Sequence, residues 1–228
     1  MDGGIAHWLD QSEGMNVYFI SGLGADKRAF ERLSLPDRFS IHYLDWIKNK
    51  KRESLNEYAK RLATAIDQTQ PFAIVGLSMG GMIASAMSQF LRPHKTILIS
   101  SVACTDEFPP LLKLGRSSRL YRFVPSALFN KPNVFAYWLF GAKTKKEREI
   151  MAHIITHSDA KFVKWSIGAI LSWNNHTRPK NLYHIHGEND KILPIKYTKP
   201  DVVVRNGSHF MVWTKAGEVS RLLTAALS

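Results

Sequence analysis

The sequence predicts an α/β fold in which helices flank a mostly parallel sheet of about six strands, with a helical lid inserted into the chain. Three observations predict this fold. Short apolar runs alternate with helical patterns along the chain. Most of these runs are continuous, as in strands that are buried on both faces of a parallel sheet. The alternation stops between about residues 105 and 179 and then returns, which indicates the insertion.

The individual elements follow from apolar periodicity and from residues that begin helices. Ser54 with Glu57, and Thr144 with Glu147, form capping-box patterns, and Asp159 is expected to cap a further helix. Strands are predicted at residues 17–20, 39–44, 72–75, 96–99, 182–185 and 202–204, and helices at residues 25–33, 54–68, 82–91, 144–157, 159–173 and 215–227.

These patterns divide the chain into three parts. Residues 15–104 and 180–228 are predicted to form one α/β core, and residues 105–179 a helical cap. Residues 1–14 are unlike the strand that follows and are predicted to be a flexible leader, with a misplaced start of the sequence as the alternative. They contain neither the basic start nor the apolar segment of a secretory signal. No stretch has the roughly 18 uninterrupted apolar residues of a membrane-spanning helix.

Composition favours one globular domain in a reducing compartment. The chain has 228 residues, 45% of them hydrophobic, which is enough for a sizeable core. Its single cysteine, Cys104, excludes an intramolecular disulfide framework, so we expect a buried structural thiol in a cytoplasmic protein. The formal net charge is +12, but lysines and arginines are spread along the chain without a nucleic-acid-binding motif. We expect a solvated basic surface, no nucleic acid partner and no integral membrane association; the oligomeric state stays open.

The segment Gly76-Leu77-Ser78-Met79-Gly80 matches the G-x-S-x-G pattern of a nucleophile elbow, a sharp turn between a strand and a helix. Side chains at the two glycine positions would clash in such a turn. The turn lifts the serine hydroxyl above the sheet, at the amino end of a helix whose dipole favours negative charge. A predicted strand precedes the motif and a run of small residues follows it. We therefore predict that Ser78 is a nucleophile.

A nucleophilic serine needs a base, and the base needs an orienting acid. With an elbow of this type the chain order is serine, acid, histidine. Asp190 and His209 lie downstream of Ser78, each just past the end of a predicted strand, where parallel sheets place their ligands. We predict His209 as the base and Asp190 as the orienting acid, with Glu188 as the alternative acid.

Four other histidines have simpler explanations. His184 and His186 lie in or at the end of a predicted strand, where packing or local hydrogen bonds are expected. His153 and His157 lie four residues apart on a predicted helix, a spacing that can bind a metal. No Glu-x-x-His pattern and no third ligand accompany them, so we expect a surface pair and no metal site.

An oxyanion hole is the third requirement of this chemistry. One backbone N–H is predicted to come from Met79, the residue after the nucleophile. The other is predicted to come from Leu23, in the turn Ser21-Gly22-Leu23-Gly24 after the first strand. The simpler explanation is that these glycines only form a tight turn.

Together these segments resemble the α/β-hydrolase superfamily over nearly the whole chain. The resemblance implies a mostly parallel sheet with flanking helices and a helical cap inserted after the strand that ends near Ile99. It also implies that the two leading strands of the usual eight are missing. The sequence departs from the superfamily pattern at two positions, Ser21 and Leu77, where histidine is common. These departures affect the polarity of the pocket and leave the triad unchanged. The matching segments are residues 21–24, 76–81, 186–190 with Pro194, and 207–210.

The resemblance implies a serine hydrolase that cleaves a carboxylic ester or thioester through an acyl-enzyme on Ser78. Its substrate would be a small ester-type molecule, and no metal or organic cofactor would be required. The superfamily also contains lyases, C–C bond hydrolases and a few receptors. A lyase or C–C bond hydrolase with the same triad, and a slow-turnover ligand-binding receptor, are therefore the alternatives. The intact triad weighs against a receptor, which has no need of all three groups.

The predicted cap carries more large apolar side chains than its short helices need for contact with one another. Tyr137-Trp138-Leu139-Phe140 is apolar around much of a turn, so we expect part of the cap to line an apolar acyl pocket. Lys113, Arg116, Arg119 and Arg122 recur every three residues, as on a solvated helix face, with a place at the pocket mouth as the alternative. The apolar set comprises Phe108, Leu111, Leu112, Leu120, Phe123, Phe135, Tyr137, Trp138, Phe140, Trp165 and Trp173.

Overall fold

The structure is a computed structural model that describes residues 14–118 and 131–228. The strands of these residues are β1 (Asn16–Ile20), β2 (Ser40–Leu44), β3 (Phe72–Leu77), β4 (Lys95–Ile99), β5 (Leu182–Gly187) and β6 (Val202–Val204). They form a single six-stranded sheet in the order β2-β1-β3-β4-β5-β6, and every neighbouring pair is parallel. The predicted fold class is confirmed, and each predicted strand lies within about two residues of its observed bounds.

Helices cover both faces of this sheet. In chain order the helices of the described residues are α1 (Leu55–Leu62), α2 (Met79–Met87), α3 (Pro110–Ser118), α4 (Val134–Phe140), α5 (Lys145–Thr156), α6 (Ala160–Ser172), α7 (Met211–Thr214) and α8 (Ala216–Leu227). α1 and α2 pack on the face that carries Ile74 and Leu98, and α8 packs on the face that carries Val75 and Ile97. Successive strand residues point to opposite faces, so the continuous apolar runs supply both cores.

Between β4 and β5 the chain forms α3 to α6, where the sequence predicts the cap. Thr144 and Glu147 form the predicted capping box at the start of α5. Asp159 caps α6 by accepting the backbone N–H groups of Lys161 and Phe162. α6 contacts both α1 and α3, so it connects the inserted helices to the sheet domain. The boundaries of core and cap at residues 104 and 180 stay a prediction.

The helix predicted at residues 25–33 is wrong. The structure has only a 3₁₀ turn at Lys27–Phe30. The Asp26 carboxylate accepts both the backbone N–H and the guanidinium of Arg28, so it holds this single turn. Hydrogen bonds between an aspartate and the following backbone compete with a longer helix.

Other helix bounds also differ from the prediction. α1 ends at Leu62 and is followed by a 3₁₀ turn at Ala63–Ala65, because the backbone becomes extended at Ile66 before β3. α2 begins at Met79 and not at residue 82, since its first turn contains glycines whose low helix propensity hides the start. α7 has no counterpart in the prediction.

No helix of residues 14–118 and 131–228 is long and apolar enough to cross a membrane. Of the predicted leader, residues 1–14, only Gly14 lies within the described part of the chain. Four residues singled out in the cap also lie outside the described residues, namely Arg119, Leu120, Arg122 and Phe123.

Candidate active site

Ser78 lies in the turn between β3 and α2 with a backbone conformation that side-chain-bearing residues rarely adopt. Its φ is 52° and its ψ is −117°. The glycines beside it are needed for close backbone contacts. A β-carbon on Gly76 would collide with the backbone of Gly80, and one on Gly80 would collide with the Ile20 carbonyl. The local structure is therefore the strained strand-to-helix elbow that the G-x-S-x-G motif predicts.

The side chains of Ser78, His209 and Asp190 form one chain of hydrogen bonds. The Ser78 Oγ lies 2.9 Å from the His209 Nε2, and the His209 Nδ1 lies 2.7 Å from the Asp190 Oδ2. A carboxylate only accepts, so Nδ1 carries the proton and Nε2 of the neutral ring can accept the Ser78 hydroxyl. The three residues follow β3, β6 and β5, at the carboxyl edge of the sheet where such folds place their ligands.

The turn after β5 holds the Asp190 carboxylate. Its Oδ1 accepts the backbone N–H groups of Ile192 at 2.9 Å and Leu193 at 2.8 Å, while Oδ2 faces the His209 ring. Burial by itself would raise the pKa of Asp190, but the interaction with His209 and these hydrogen bonds hold the pKa below its ordinary value. Asp190 is therefore ionised at neutral pH and presents its negative charge to His209.

Glu188, the alternative acid, lies two residues earlier on the same turn but is exposed to solvent. Its Oε2 accepts the backbone N–H of Asn206 at 2.8 Å, so it ties the turn after β5 to the turn after β6. Of these two carboxylates, Asp190 is the one hydrogen-bonded to His209.

The turn at residues 21–24 lies directly against the elbow. A β-carbon on Gly22 would be 3.5 Å from the Cβ of Ser78. The Ser21 Oγ donates to the Ala25 carbonyl at 2.6 Å, which closes the turn around Leu23. Met79 is the first residue of α2, where backbone N–H groups have no partner within the helix. The two predicted oxyanion donors thus belong to the two segments that border Ser78, and their role stays a prediction.

Two further residues make contacts at the site that the sequence does not indicate, although Phe140 belongs to the apolar set predicted for the cap. The Ser101 Oγ donates to the Ser78 carbonyl at 2.6 Å, so the segment after β4 braces the elbow. The Phe140 ring of α4 packs edge-to-face on the His209 ring, with centroids 5.5 Å apart. Each contact joins residues more than 20 positions apart, so no local pattern could reveal it.

The four other histidines considered in the sequence, and the cysteine, lie apart from this hydrogen-bonded chain or behind it. His184 and His186 are fully buried and hydrogen-bonded to each other, with 3.0 Å between their ring nitrogens. The rings of the half-buried His153 and the exposed His157 lie against each other at a tilt of 31°, and the described residues contain no group of three ligands that could hold a metal ion. Cys104 is buried, and burial raises the pKa of its thiol.

The apolar side chains of the cap divide into two groups. Phe108 and Trp173 are buried in the core of the sheet domain, and Phe140 packs against the opposite core. In contrast, Phe135 and Trp138 of α4 are exposed. A cavity of about 540 Å³ borders the turn at residues 21–24; its lining includes Gly24, Trp46, Ile154, Phe162, Asp26 and Arg28.

The fold agrees with the comparison to known proteins. The model of the alpha/beta hydrolase family matches residues 17–222, a range that includes Ser78, Asp190 and His209. The chain therefore belongs to the alpha/beta hydrolase family. No curated protein matches the sequence at a significant level.

Solved structures show the same fold at low sequence identity. The enol-lactonase from Burkholderia xenovorans LB400 has a TM-score of 0.74 at 15% identity, covering 94% of this chain and 91% of its own. A lipase-esterase related protein from Clostridium acetobutylicum ATCC 824 has a TM-score of 0.69 at 14% identity, covering 95% and 96%. A thermophilic esterase from Thermogutta terrifontis has a TM-score of 0.66 at 17% identity, covering 94% and 89%.

Proposed function

We propose that the protein is a serine hydrolase that cleaves a small carboxylic ester or thioester through an acyl-enzyme on Ser78. The observation that carries this proposal is the unbroken hydrogen-bond chain from the Ser78 hydroxyl through His209 to the ionised Asp190. The strained elbow supports it, because it presents the Ser78 hydroxyl at the amino end of α2.

The first half of the reaction forms the acyl-enzyme. The His209 Nε2 takes the hydroxyl proton while the Ser78 Oγ bonds to the substrate carbonyl carbon, and the carbonyl electrons move onto its oxygen. The backbone N–H groups of Leu23 and Met79 donate to this oxyanion. The Asp190 carboxylate stabilises the protonated His209 ring. That ring then gives its proton to the leaving alcohol or thiol as the C–O or C–S bond breaks.

The second half releases the acyl group. His209, neutral again, takes a proton from a water molecule while the water oxygen bonds to the acyl carbon, and a second oxyanion forms in the same place. The Ser78 Oγ then leaves and regains a proton from His209, which yields a carboxylic acid. Atoms and charges balance in these steps without a metal or organic cofactor.

We further propose that the acyl group is apolar. The Phe140 ring lies against His209, so one wall beside the reacting atoms is aromatic. The cavity at Gly24 borders the oxyanion turn, and its lining combines three large apolar side chains, Trp46, Ile154 and Phe162, with polar residues such as Asp26 and Arg28. An apolar chain gains free energy by covering the apolar part of this lining. The single buried Cys104 supports a cytoplasmic location for the reaction.

The decisive experiment replaces the nucleophile. Wild-type protein should react with a fluorophosphonate probe and release p-nitrophenol from an ester, while Ser78→Ala should lose labelling and lower turnover about 10⁶-fold. Ser101→Ala is the matched control, because it removes a neighbouring hydroxyl that only braces the elbow. Labelling of Ser78→Ala at the wild-type rate would contradict the assignment.

A series of p-nitrophenyl esters from two to ten carbons tests the acyl proposal. Each buried methylene contributes about 0.8 kcal/mol, so kcat/KM should rise about three- to fourfold per carbon until the pocket is full. A steady fall beyond acetate would show that the acyl site is small or polar. That result would leave the nucleophile assignment intact, since labelling of Ser78 does not depend on chain length.

A further inference from the structure

Two buried histidines lie behind Asp190 and are connected to it through Leu193. The His186 Nε2 lies 2.7 Å from the Leu193 carbonyl oxygen and 3.5 Å from the Asp190 Oδ2. On the other side of the same ring, Nδ1 lies 3.0 Å from the His184 Nε2. The side chains of Asp190 and His186 are entirely inaccessible to solvent. The reaction proposed above assigns no role to either His184 or His186.

The partners of His186 determine where its proton lies. The Nε2 faces a backbone carbonyl and a carboxylate, both of which only accept hydrogen bonds, so Nε2 carries a proton. A neutral ring then has a lone pair on Nδ1, which must accept from the His184 Nε2–H. The remaining nitrogen, the His184 Nδ1, then carries a lone pair; it makes no hydrogen bond of ideal geometry within the described residues, but the Ser101 backbone lies against the ring and favours its protonated form.

The surroundings keep both rings neutral. Burial lowers the pKa of His186, although Asp190 and the Leu193 carbonyl oppose this shift. Burial, with the nearby His186 and Arg178, lowers the pKa of His184 to about 3. His186 therefore presents an N–H dipole to the turn that carries Asp190 and adds no net positive charge that would compete with His209 for the carboxylate.

We propose that His186 is a positioning residue of the catalytic triad, which fixes the turn at residues 190–193 so that the Asp190 carboxylate meets the His209 ring. Leu193 explains how this works, since its N–H donates to the Asp190 Oδ1 while its carbonyl accepts from His186. The ring thus holds the same peptide segment that holds the carboxylate. This inference rests on the proposed function, because it assigns to His186 the positioning of Asp190, the acid of the proposed triad.

The test uses two polar variants that distinguish the hydrogen bond made by the His186 Nε2 from the one made by its Nδ1. His186→Gln is long enough to place an N–H near the Leu193 carbonyl, whereas His186→Asn matches only the Nδ1 end that faces His184. Ile185→Ala is the structural control, because Ile185 is the preceding residue of β5, is equally buried and packs in the core on the opposite face. A general loss of packing would affect this control as much as His186→Asn.

We expect His186→Asn to lower kcat for a p-nitrophenyl ester about 100-fold, the size of effect that a displacement of about 1 Å in an active site can cause. KM should stay within about twofold, since His186 does not border the bound substrate. His186→Gln should recover kcat to within about tenfold of the wild type. Ile185→Ala should lower the thermal midpoint and leave kcat within about threefold.

A spectroscopic measurement tests the inference without turnover. The proton between the His209 Nδ1 and Asp190 should give a far-downfield ¹H NMR signal, identified by its loss in His209→Gln. The signal should persist in His186→Gln and in Ile185→Ala, and it should disappear or move upfield in His186→Asn. ¹⁵N shifts of the His184 and His186 rings should show both to be neutral at pH 7.

His186→Asn with wild-type kcat and an unchanged downfield signal would overturn the inference. Equal losses of kcat and of the signal in Ile185→Ala would also overturn it, because they would show an effect of packing alone. Failure of the proposed function has a different signature, namely hydrolysis and probe labelling that survive in Ser78→Ala. The NMR result on His186 does not depend on that outcome.

Discussion

The carboxyl edge of the sheet and the outer surface of α3 and α4 use their side chains in opposite ways. At the sheet edge, Ser78, Asp190 and His209 are each held by hydrogen bonds to named partners, and the last two are buried. On the inserted helices, large apolar side chains face solvent; they are Leu111, Leu114, Val134, Phe135 and Trp138.

This difference shows which part of the molecule is fixed by many simultaneous constraints. The Asp190 carboxylate, for example, is buried and is held by two backbone N–H groups and by the His209 ring. An exposed side chain such as Phe135 of α4 has far fewer partners to lose. Substitutions should therefore have large and specific effects at the sheet edge and small effects on the outer surface of the insertion.

The largest effect is expected at the triad acid. Asp190→Asn should lower kcat about 10⁴-fold, because a neutral amide allows the wrong His209 tautomer and does not stabilise the protonated ring. Steady-state hydrolysis of a p-nitrophenyl ester measures this effect. Glu188→Gln, on the same turn, should change kcat less than about threefold, since Glu188 only accepts a backbone N–H from Asn206. The reverse pattern would assign the acid to Glu188.

A smaller effect should separate two tryptophans of the insertion. Trp173 is 2% exposed, and its indole N–H lies 3.1 Å from the Asn56 side-chain oxygen, so Trp173→Ala should lower the free energy of unfolding by about 3–5 kcal/mol. Trp138 is 56% exposed, and the Lys191 ammonium lies 3.9 Å from its ring centroid. Trp138→Ala should therefore cost less than about 1 kcal/mol. Urea denaturation followed by circular dichroism compares the two, and similar losses would contradict this division of the insertion.

The last comparison concerns acid stability. The pKa of His184 is depressed to about 3 in the folded protein, against 6.5 for an ordinary histidine, so the native state binds fewer protons than the unfolded chain. Its contribution to stability is complete above about pH 6.5 and is lost as the pH falls toward 3. The free energy of unfolding should decrease in this range by about 1 kcal/mol per pH unit for this one group.

Denaturation curves between pH 7 and pH 4 check this slope. His184→Gln keeps a donor for His186 but cannot titrate, so its slope should be shallower. His157→Gln, at the exposed end of α5, is the matched control from the insertion and should keep the wild-type slope. An unchanged slope in His184→Gln would show that its burial does not govern acid stability.

The sequence predicts the sheet and the hydrogen-bonded chain well, because both depend on local patterns. A continuous apolar run such as β3 indicates a strand that is buried on both faces. The order of strand, glycine, Ser78 and glycine indicates the elbow. Asp190 and His209 each follow the carboxyl end of a strand, where a parallel sheet binds its ligands. His209 lies 2.9 Å from the Ser78 hydroxyl and 2.7 Å from the Asp190 carboxylate, and the catalytic roles of the two residues stay a proposal.

The parts that the sequence does not predict depend on contacts between distant segments. The apolar residues of α4 give no sign of which will be buried, so Phe140 against His209 and Trp138 in solvent look alike in the sequence. His186 resembles any strand histidine until the Leu193 carbonyl is placed beside it. The wrong helix at residues 25–33 has a different origin, because the interaction between Asp26 and Arg28 that competes with it is local but leaves no trace in apolar periodicity.

The junction at the end of α4 limits how this hydrolase could be re-engineered. α4 is capped by Gly141, which has a φ of +83°, and a β-carbon there would collide with Ser208, the residue before His209. The Phe140 carbonyl accepts the backbone N–H of Phe210, which is the residue after His209. A cap transplanted from a relative to change substrate range must therefore reproduce a left-handed glycine and a carbonyl at this point. In a chimera without them, His209 would be displaced from its position beside Ser78, whatever substrate range the new cap conferred.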